Sequence, residues 1–231
     1  ASAIAAMVTN KQLGIAERLM LLSDSSMLAR AGTQSFDATL YLLERYNDED
    51  SEPVWDIMTL IIADSRRFID VAPELEDQIK ALIRELIGSL HTHLGWEEKP
   101  GESSHDTKLR ATIVGLGVYA EHEAIVERAL ELFEAYKSDA KAVPAELRGI
   151  VLGAAVRNKV AGAFDYLIKA DENTQNVDLK QDILGALEQL ADAVDVLLDF
   201  TDRHLVLLQL RIVAGNYPLP ELHPGSVPFP A

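Results

Sequence analysis

The sequence predicts an all-α fold, and three observations carry that prediction. Apolar residues recur every three or four positions along most of the chain, the period of a helix with one buried face. No segment alternates apolar and polar residues as a half-buried strand would. Breakers and capping residues interrupt the periodic stretches at short intervals, so the helices are short and so are their connections.

The elements follow in order. Over residues 14–31 the first stripe is Ile15, Leu19, Leu22 and Leu28. Phe36, Leu40 and Leu43 repeat the spacing in a shorter segment that Ser35 is placed to cap. Pro53 suits a first turn, where its missing N–H costs nothing, and Val54, Met58, Ile61 and Ile62 follow on one face. Pro73, Glu74 and Glu76 open the next helix, with acidic groups at the positive end of its dipole. Its stripe is Leu75, Ile79, Leu82, Ile83, Leu86 and Leu90, and Gly95 closes it. Residues 96–104 form the most evident internal loop, after which Ser103 and Asp106 stand at capping-box spacing ahead of Leu109, Ile113 and Leu116. Ile125, Ala129, Leu132 and Phe133 make the stripe after His122; Pro144 and Glu146 start another with Leu147, Val151 and Ala155. Phe164, Leu167 and Ile168 continue the series, Asn176 is an N-cap for Ile183, Leu187 and Leu190, and Val194, Leu197 and Phe200 supply one more stripe.

Roughly ten helices joined by short polar loops imply antiparallel neighbours. A succession of such hairpins gives stacked helix pairs, a HEAT- or armadillo-like superhelical array with degenerate repeats. Residues 1–213 therefore read as a single helical-repeat domain. Residues 214–231, with five prolines, two glycines and no apolar period, read as an extended or disordered tail. The chain starts at Ala1 without Met and reads as a piece of something longer.

Composition narrows the function. Thirty-seven acidic residues against 21 Lys and Arg leave a formal net charge of −16, the wrong sign for nucleic acid or anionic lipid. No cysteine is present, so thiolate nucleophiles and Cys-based metal sites are excluded. No apolar run reaches the roughly 18 to 20 residues of a membrane span. No motif fixes the compartment; a soluble protein, with the cytoplasm favoured, is the expectation.

Catalytic motifs fail one after another. His122-Glu123 begins H-E-x-x-H, but Val126 stands where the second ligand belongs. His91 and His93 fall on different faces of a helix and read as helix-end histidines, favoured near the negative end of the dipole. Gly115 and Gly117 match a dinucleotide fingerprint, yet they lie inside a helical stretch and read as close-packing glycines. Ser138 and Lys141 match S-x-x-K in a loop ahead of Pro144, the wrong setting for that chemistry. Arg110, Arg148 and Arg157 read as packing residues paired with carboxylates, and Trp55 and Trp96 as helix-packing residues. Arg66 and Arg67 sit near a helix end, placed either to cap it or to bind a carboxylate. No catalytic or metal-ligating residue emerges.

A family resemblance adds to this reading. Leu94-Gly95-Trp96-Glu97-Glu98-Lys99-Pro100-Gly101-Glu102, then Leu109-Arg110, Glu121-His122 and Ala129-x-x-x-Phe133 resemble a stretch of the gluzincin aminopeptidases. That aminopeptidase N-like family includes the endoplasmic-reticulum aminopeptidases. Ala16-Glu17-Arg18-Leu19-Met20-Leu21-Leu22-Ser23-Asp24, Leu28-Ala29-Arg30-Ala31-Gly32, Glu52-Pro53-Val54-Trp55 and Val143-Pro144-Ala145-Glu146-Leu147-Arg148 extend the resemblance over residues from about 14 to about 209. It implies the non-catalytic C-terminal helical domain of a zinc metallopeptidase, a bowl over the active site that gates access and holds the distal part of a peptide. Zinc would then be a cofactor of the catalytic domain of the parent enzyme, with none in this chain. The partners implied are that catalytic domain, in the same polypeptide, and the peptide substrate.

Some family members place a Tyr-Lys pair after the Pro-Val-aromatic segment to hold a peptide's C-terminal carboxylate. Those positions fall here at Ser65 and Arg66, which makes Arg66 the candidate residue for binding the peptide C-terminus. Family members also carry several more helices where this chain turns into its proline-rich tail. Two alternatives stay open: a free-standing HEAT-like interaction scaffold, and a hydrolase built on an unrecognised carboxylate pair.

Overall fold

The computed structural model describes residues 7–8, 12–69 and 72–191, and the side chains of 66–68 and 189–191 lie outside that description. Among the described residues there are α-helices and short 3-10 turns and no strand. The helices are α1 (Ile15–Arg30), α2 (Phe36–Leu43), α3 (Glu52–Ile69), α4 (Leu75–Leu94) and α5 (Ser104–Tyr119). They continue with α6 (Glu123–Ser138), α7 (Ala145–Arg157), α8 (Ala163–Asn173) and α9 (Val177–Ala191). The stripe predicted at Val194, Leu197 and Phe200 and the tail 214–231 lie outside the described residues.

The chain divides into two compact units, one up to Val151 and one from Leu152, with the division inside α7. In the first unit, polar side chains fix the direction of each helix. The Tyr46 hydroxyl, just beyond α2, donates to the Arg18 carbonyl at 3.0 Å, while Thr39 near the start of α2 meets Ser25 in the second half of α1, also at 3.0 Å. The two helices are therefore antiparallel. Ser89 late in α4 reaches the Asn47 carbonyl ahead of α3, and Arg110 and Arg84 reach the carbonyls of Leu94 and Ala120, so α3, α4 and α5 also alternate. Of the next-but-one helices, α1 and α3, and α3 and α5, run parallel and touch. Arg18 pairs with Glu49 before α3 and Arg30 with Asp64 toward its end, while Glu52 at the start of α3 meets His105 at the start of α5.

The predicted stripes form the core. Val54, Met58 and Ile61 of α3, Ile83 of α4, Ile113 of α5 and Phe133 of α6 have no exposed surface. Each such side chain stabilises the fold by roughly 1.5–3 kcal/mol relative to leaving it in water. In the second unit α8 packs on α9 around Leu167, Ile183 and Leu187.

One stripe and one cap behave differently from their prediction. In α1 only Leu22 is fully buried, whereas Ile15 and Leu28 are exposed and Ser25 and Ser26 turn inward. The reason is a polar cluster: Gln34 donates to Ser25 Oγ at 2.7 Å and to Thr39 Oγ1 at 3.0 Å, which satisfies hydroxyls that a purely apolar face would not carry. Ser35 does occupy the N-cap of α2, but its side chain makes no capping bond. The other caps are as expected. Ser103 and Asp106 exchange capping-box bonds, and the Asn176 side chain accepts from the Leu179 N–H at 3.0 Å.

Three helices end in the same turn. Thr33, His122 and Val160 each donate a backbone N–H five residues back, to Leu28, Gly117 and Ala155, after a left-handed residue. That residue is Gly32 after α1, but Glu121 (φ 55) after α5 and Lys159 (φ 53) after α7.

The glycines of α5 divide in role. A Cβ on Gly117 would overlap the buried side chain of Ile125, so this glycine is what lets α6 approach α5. A Cβ on Gly115 would stand 3.6 Å from Ile150, an ordinary contact, so its expected close-packing role is not needed. Gly117→Ala should lower stability by about 1–3 kcal/mol through overpacking. Gly115→Ala should leave it unchanged or raise it by up to about 1 kcal/mol through helix propensity. Thermal melts of both variants check the contrast, and equal shifts would contradict it.

Candidate functional site

A cleft of about 360 Å³ opens between α2 and α4, with α3 at its base. Its α2 wall is Phe36, Asp37, Leu40 and Glu44, and its α4 wall includes Leu75, Ile79 and Leu82. Spacings of three, four and seven residues put each set on one helical face. This accounts for the half-burial of Phe36 and Leu40, which face the cleft, while Leu43 of the same stripe is fully buried in the core. Ser65 forms part of the base. It is fully buried, and its hydroxyl donates to the Ile62 carbonyl at 2.5 Å within α3.

Arg66, the candidate for binding a peptide carboxylate, follows Ser65 on α3, and its side chain lies outside the description. Arg67 stands likewise. Phe36, Leu40, Leu75, Ile79 and Leu82 were expected as core stripes, and the apolar period alone did not show that they line a cleft.

A buried ion pair holds the connection between α2 and α3. Arg18 grips Glu49 with both ends of its guanidinium, Nε to Oε2 at 2.7 Å and Nη2 to Oε1 at 2.8 Å, while Nη1 donates to the Leu13 carbonyl at 2.9 Å. Glu49 Oε1 also accepts from the Ser51 N–H at 3.0 Å, and the Glu49 carbonyl accepts from Trp55 Nε1 at 2.9 Å. The hydrogen bond to Glu49 raises the pKa of Arg18 further, and burial raises that of Tyr46, so the guanidinium stays charged and the phenol neutral. Trp55 is thus a core residue with its one polar atom satisfied.

The same device recurs on α5. Arg110 is 1% exposed and pairs through Nη2 with Glu102, in the loop between α4 and α5. Its expected reading as a packing residue paired with a carboxylate holds. Arg148 and Arg157 are half-buried on α7. Ser138 ends α6 and Lys141 lies in the 3-10 turn Ala140–Ala142, so the S-x-x-K match sits in a connection. Among the described residues no three His, Asp or Glu side chains converge as a metal site of that size would require. No helix there is long and apolar enough to cross a membrane. One pairing escaped the sequence: His91 of α4 lies beside His122, the residue that opens α6, with ring centres 6.1 Å apart.

Ion pairing predicts a pH response. The hydrogen bond from Arg110 holds the Glu102 carboxyl below its ordinary 4.5. A carboxylate with a depressed folded-state pKa contributes stability that is fully present above its unfolded value and is lost as pH falls through the folded one. Denaturant unfolding between pH 7 and pH 3 should therefore show a loss of stability on acidification that is smaller in Glu102→Gln. Parallel pH profiles would remove Glu102 from the explanation.

Comparison with known proteins gives consistent results. The sequence model of the ERAP1-like C-terminal domain family matches residues 1–207. Aminopeptidase N of Lactococcus lactis subsp. lactis (strain IL1403) is 29% identical over 76% of this chain and 21% of its own length. Aminopeptidase 2, mitochondrial, of Saccharomyces cerevisiae is 31% identical over 67% of this chain and 16% of its own. Aminopeptidase M1-B of Oryza sativa subsp. japonica is 27% identical over 81% of this chain and 22% of its own. The chain spans about a fifth of the length of the curated relatives it matches.

Proposed function

The chain belongs to the ERAP1-like C-terminal domain family, and from that premise we propose that it is the non-catalytic accessory domain of a zinc aminopeptidase, covering the active site and helping to hold and select the peptide. The observation that carries the reading is the family match over residues 1–207, together with relatives that are aminopeptidases about five times as long as the shared segment. In such an enzyme the zinc would belong to the catalytic part of the polypeptide. There it would supply Lewis-acid chemistry and an activated water.

Physical features of this chain support the reading. Alternating helices whose next-but-one neighbours run parallel are what a HEAT- or armadillo-like stack requires. A stack of that kind offers a long inner surface on which an extended peptide can lie. The cleft between α2 and α4 would take one peptide side chain against its apolar walls, and Arg66, one residue beyond Ser65 at its base, would take the C-terminal carboxylate. An accessory domain must also seat against the catalytic part. Met20 at 60% and Met27 at 64% exposure lie seven residues apart on one face of α1, the kind of adaptable apolar surface that such a contact uses.

Closure of this domain over the site would exclude bulk water and set the length of peptide that fits. Two measurements test the proposal. The purified chain, given a panel of aminoacyl-coumarin substrates and zinc, should show no turnover above a chelator control; chelator-sensitive turnover that co-purifies with the chain would defeat the accessory-domain reading. In the complete enzyme, Arg66→Ala should raise KM for longer peptides and leave single-residue amide substrates untouched. Equal effects on both classes would sink the anchor role while leaving the domain assignment standing.

A further inference from the structure

His91 and His122 are 31 positions apart in sequence, and the fold sets their imidazoles side by side, with ring planes inclined at 45°. Nε2 of His91 and Nδ1 of His122 are both buried, and neither has a hydrogen-bond partner among the described residues. Two orphaned nitrogens on neighbouring rings are costly, because a desolvated polar atom loses its bonds to water without replacement. The rings cannot satisfy each other. A direct N–H···N bond would bring their centres to about 5 Å, and they stand 6.1 Å apart. A single ion between them resolves both deficits. Two imidazoles on one divalent cation, at metal–nitrogen distances of about 2.0–2.1 Å, have centres roughly 5 to 6.5 Å apart, depending on the angle at the ion.

We propose that His91 Nε2 and His122 Nδ1 form a binding site for a divalent first-row transition ion, Zn²⁺, Ni²⁺ or Cu²⁺, with solvent in its remaining positions. Imidazole nitrogen is a ligand these ions favour, and Mg²⁺ and Ca²⁺ do not. The ligands are prepared for it. His122 is fixed by the left-handed turn at Glu121, where its N–H donates to the Gly117 carbonyl at 2.9 Å. His91 lies in the last turn of α4, and Trp96 stands edge-on to it at 6.4 Å. An ion here would tie the end of α4 to the corner between α5 and α6. The site does not depend on the peptide reading.

Trp96 provides the readout, since the other tryptophan, Trp55, is buried in the core beside Glu49. Titrating the full chain with Cu²⁺ or Ni²⁺ at neutral pH should quench Trp96 emission saturably. Zn²⁺ should raise Tm without that quenching, by mass action on the folded state, and Mg²⁺ should do neither. His91→Ala and His122→Ala should each weaken binding by more than about tenfold, while His93→Ala and His105→Ala should leave it unchanged. His91→Gln, close in size and polarity, repeats the test if the alanine variants unfold. Trp96→Phe should abolish the quenching and keep the Zn²⁺ effect on Tm. Affinities that are equal in the wild type, His91→Gln and His122→Ala would overturn the site, and so would the absence of saturable binding, which would leave water as the bridge between the two nitrogens.

Discussion

A guanidinium buried in an apolar helical stack must meet a carboxylate there, and the first unit is arranged around that requirement. Removing one partner of such a pair costs on the order of 3–5 kcal/mol, because the other charge is left uncompensated. Arg18 meets the condition by drawing Glu49 out of the connection between α2 and α3, and Arg110 by drawing Glu102 out of the loop after α4. In each case an arginine on a helix fixes the conformation of a connection that has little apolar surface of its own. The α2 wall of the cleft depends on the first of these pairs, since Tyr46 and Glu49 continue directly from α2 and are held by Arg18 and Trp55.

Hydrophobic period made the architecture legible. Every described helix was visible as a stripe, and Gly95, the Ser103–Asp106 box and Asn176 marked ends correctly, because caps are local chemistry written within four residues. What period conveys poorly is which side of a helix meets another element. The stripe of α1 put Leu28 inside, yet the fold spends that interior on Ser25, Thr39 and Gln34, whose mutual bonds no pattern of apolar residues announces. Phe36 and Leu40 looked like core and turned out to line the cleft.

The resemblance strings were legible as a family before their physical content was. Arg18, Trp55, Glu102 and Arg110 each lie in one of those strings, and each proves to be a scaffold residue with a polar contact inside the fold. Arg66 was reached by position in the same pattern, and the fold places it next to the base of the cleft through Ser65. The histidine pair could not be read at all. Spacing rules find ligands on one helix, and His91 and His122 are joined only by the way α4 passes the corner at Glu121.

The contact order of the first unit follows from the parallel neighbours α1, α3 and α5. Each helix there packs mainly on the one after it or the next but one, so nearly every tertiary contact closes a loop of only a few dozen residues. Chains of that topology have little loop-closure entropy to overcome and can begin folding at any hairpin, each new pair templating the next. Growth at an end is then inexpensive for evolution as well. A hairpin gained or lost at the edge of such a stack changes the length of the surface without rewiring the pairs already laid down.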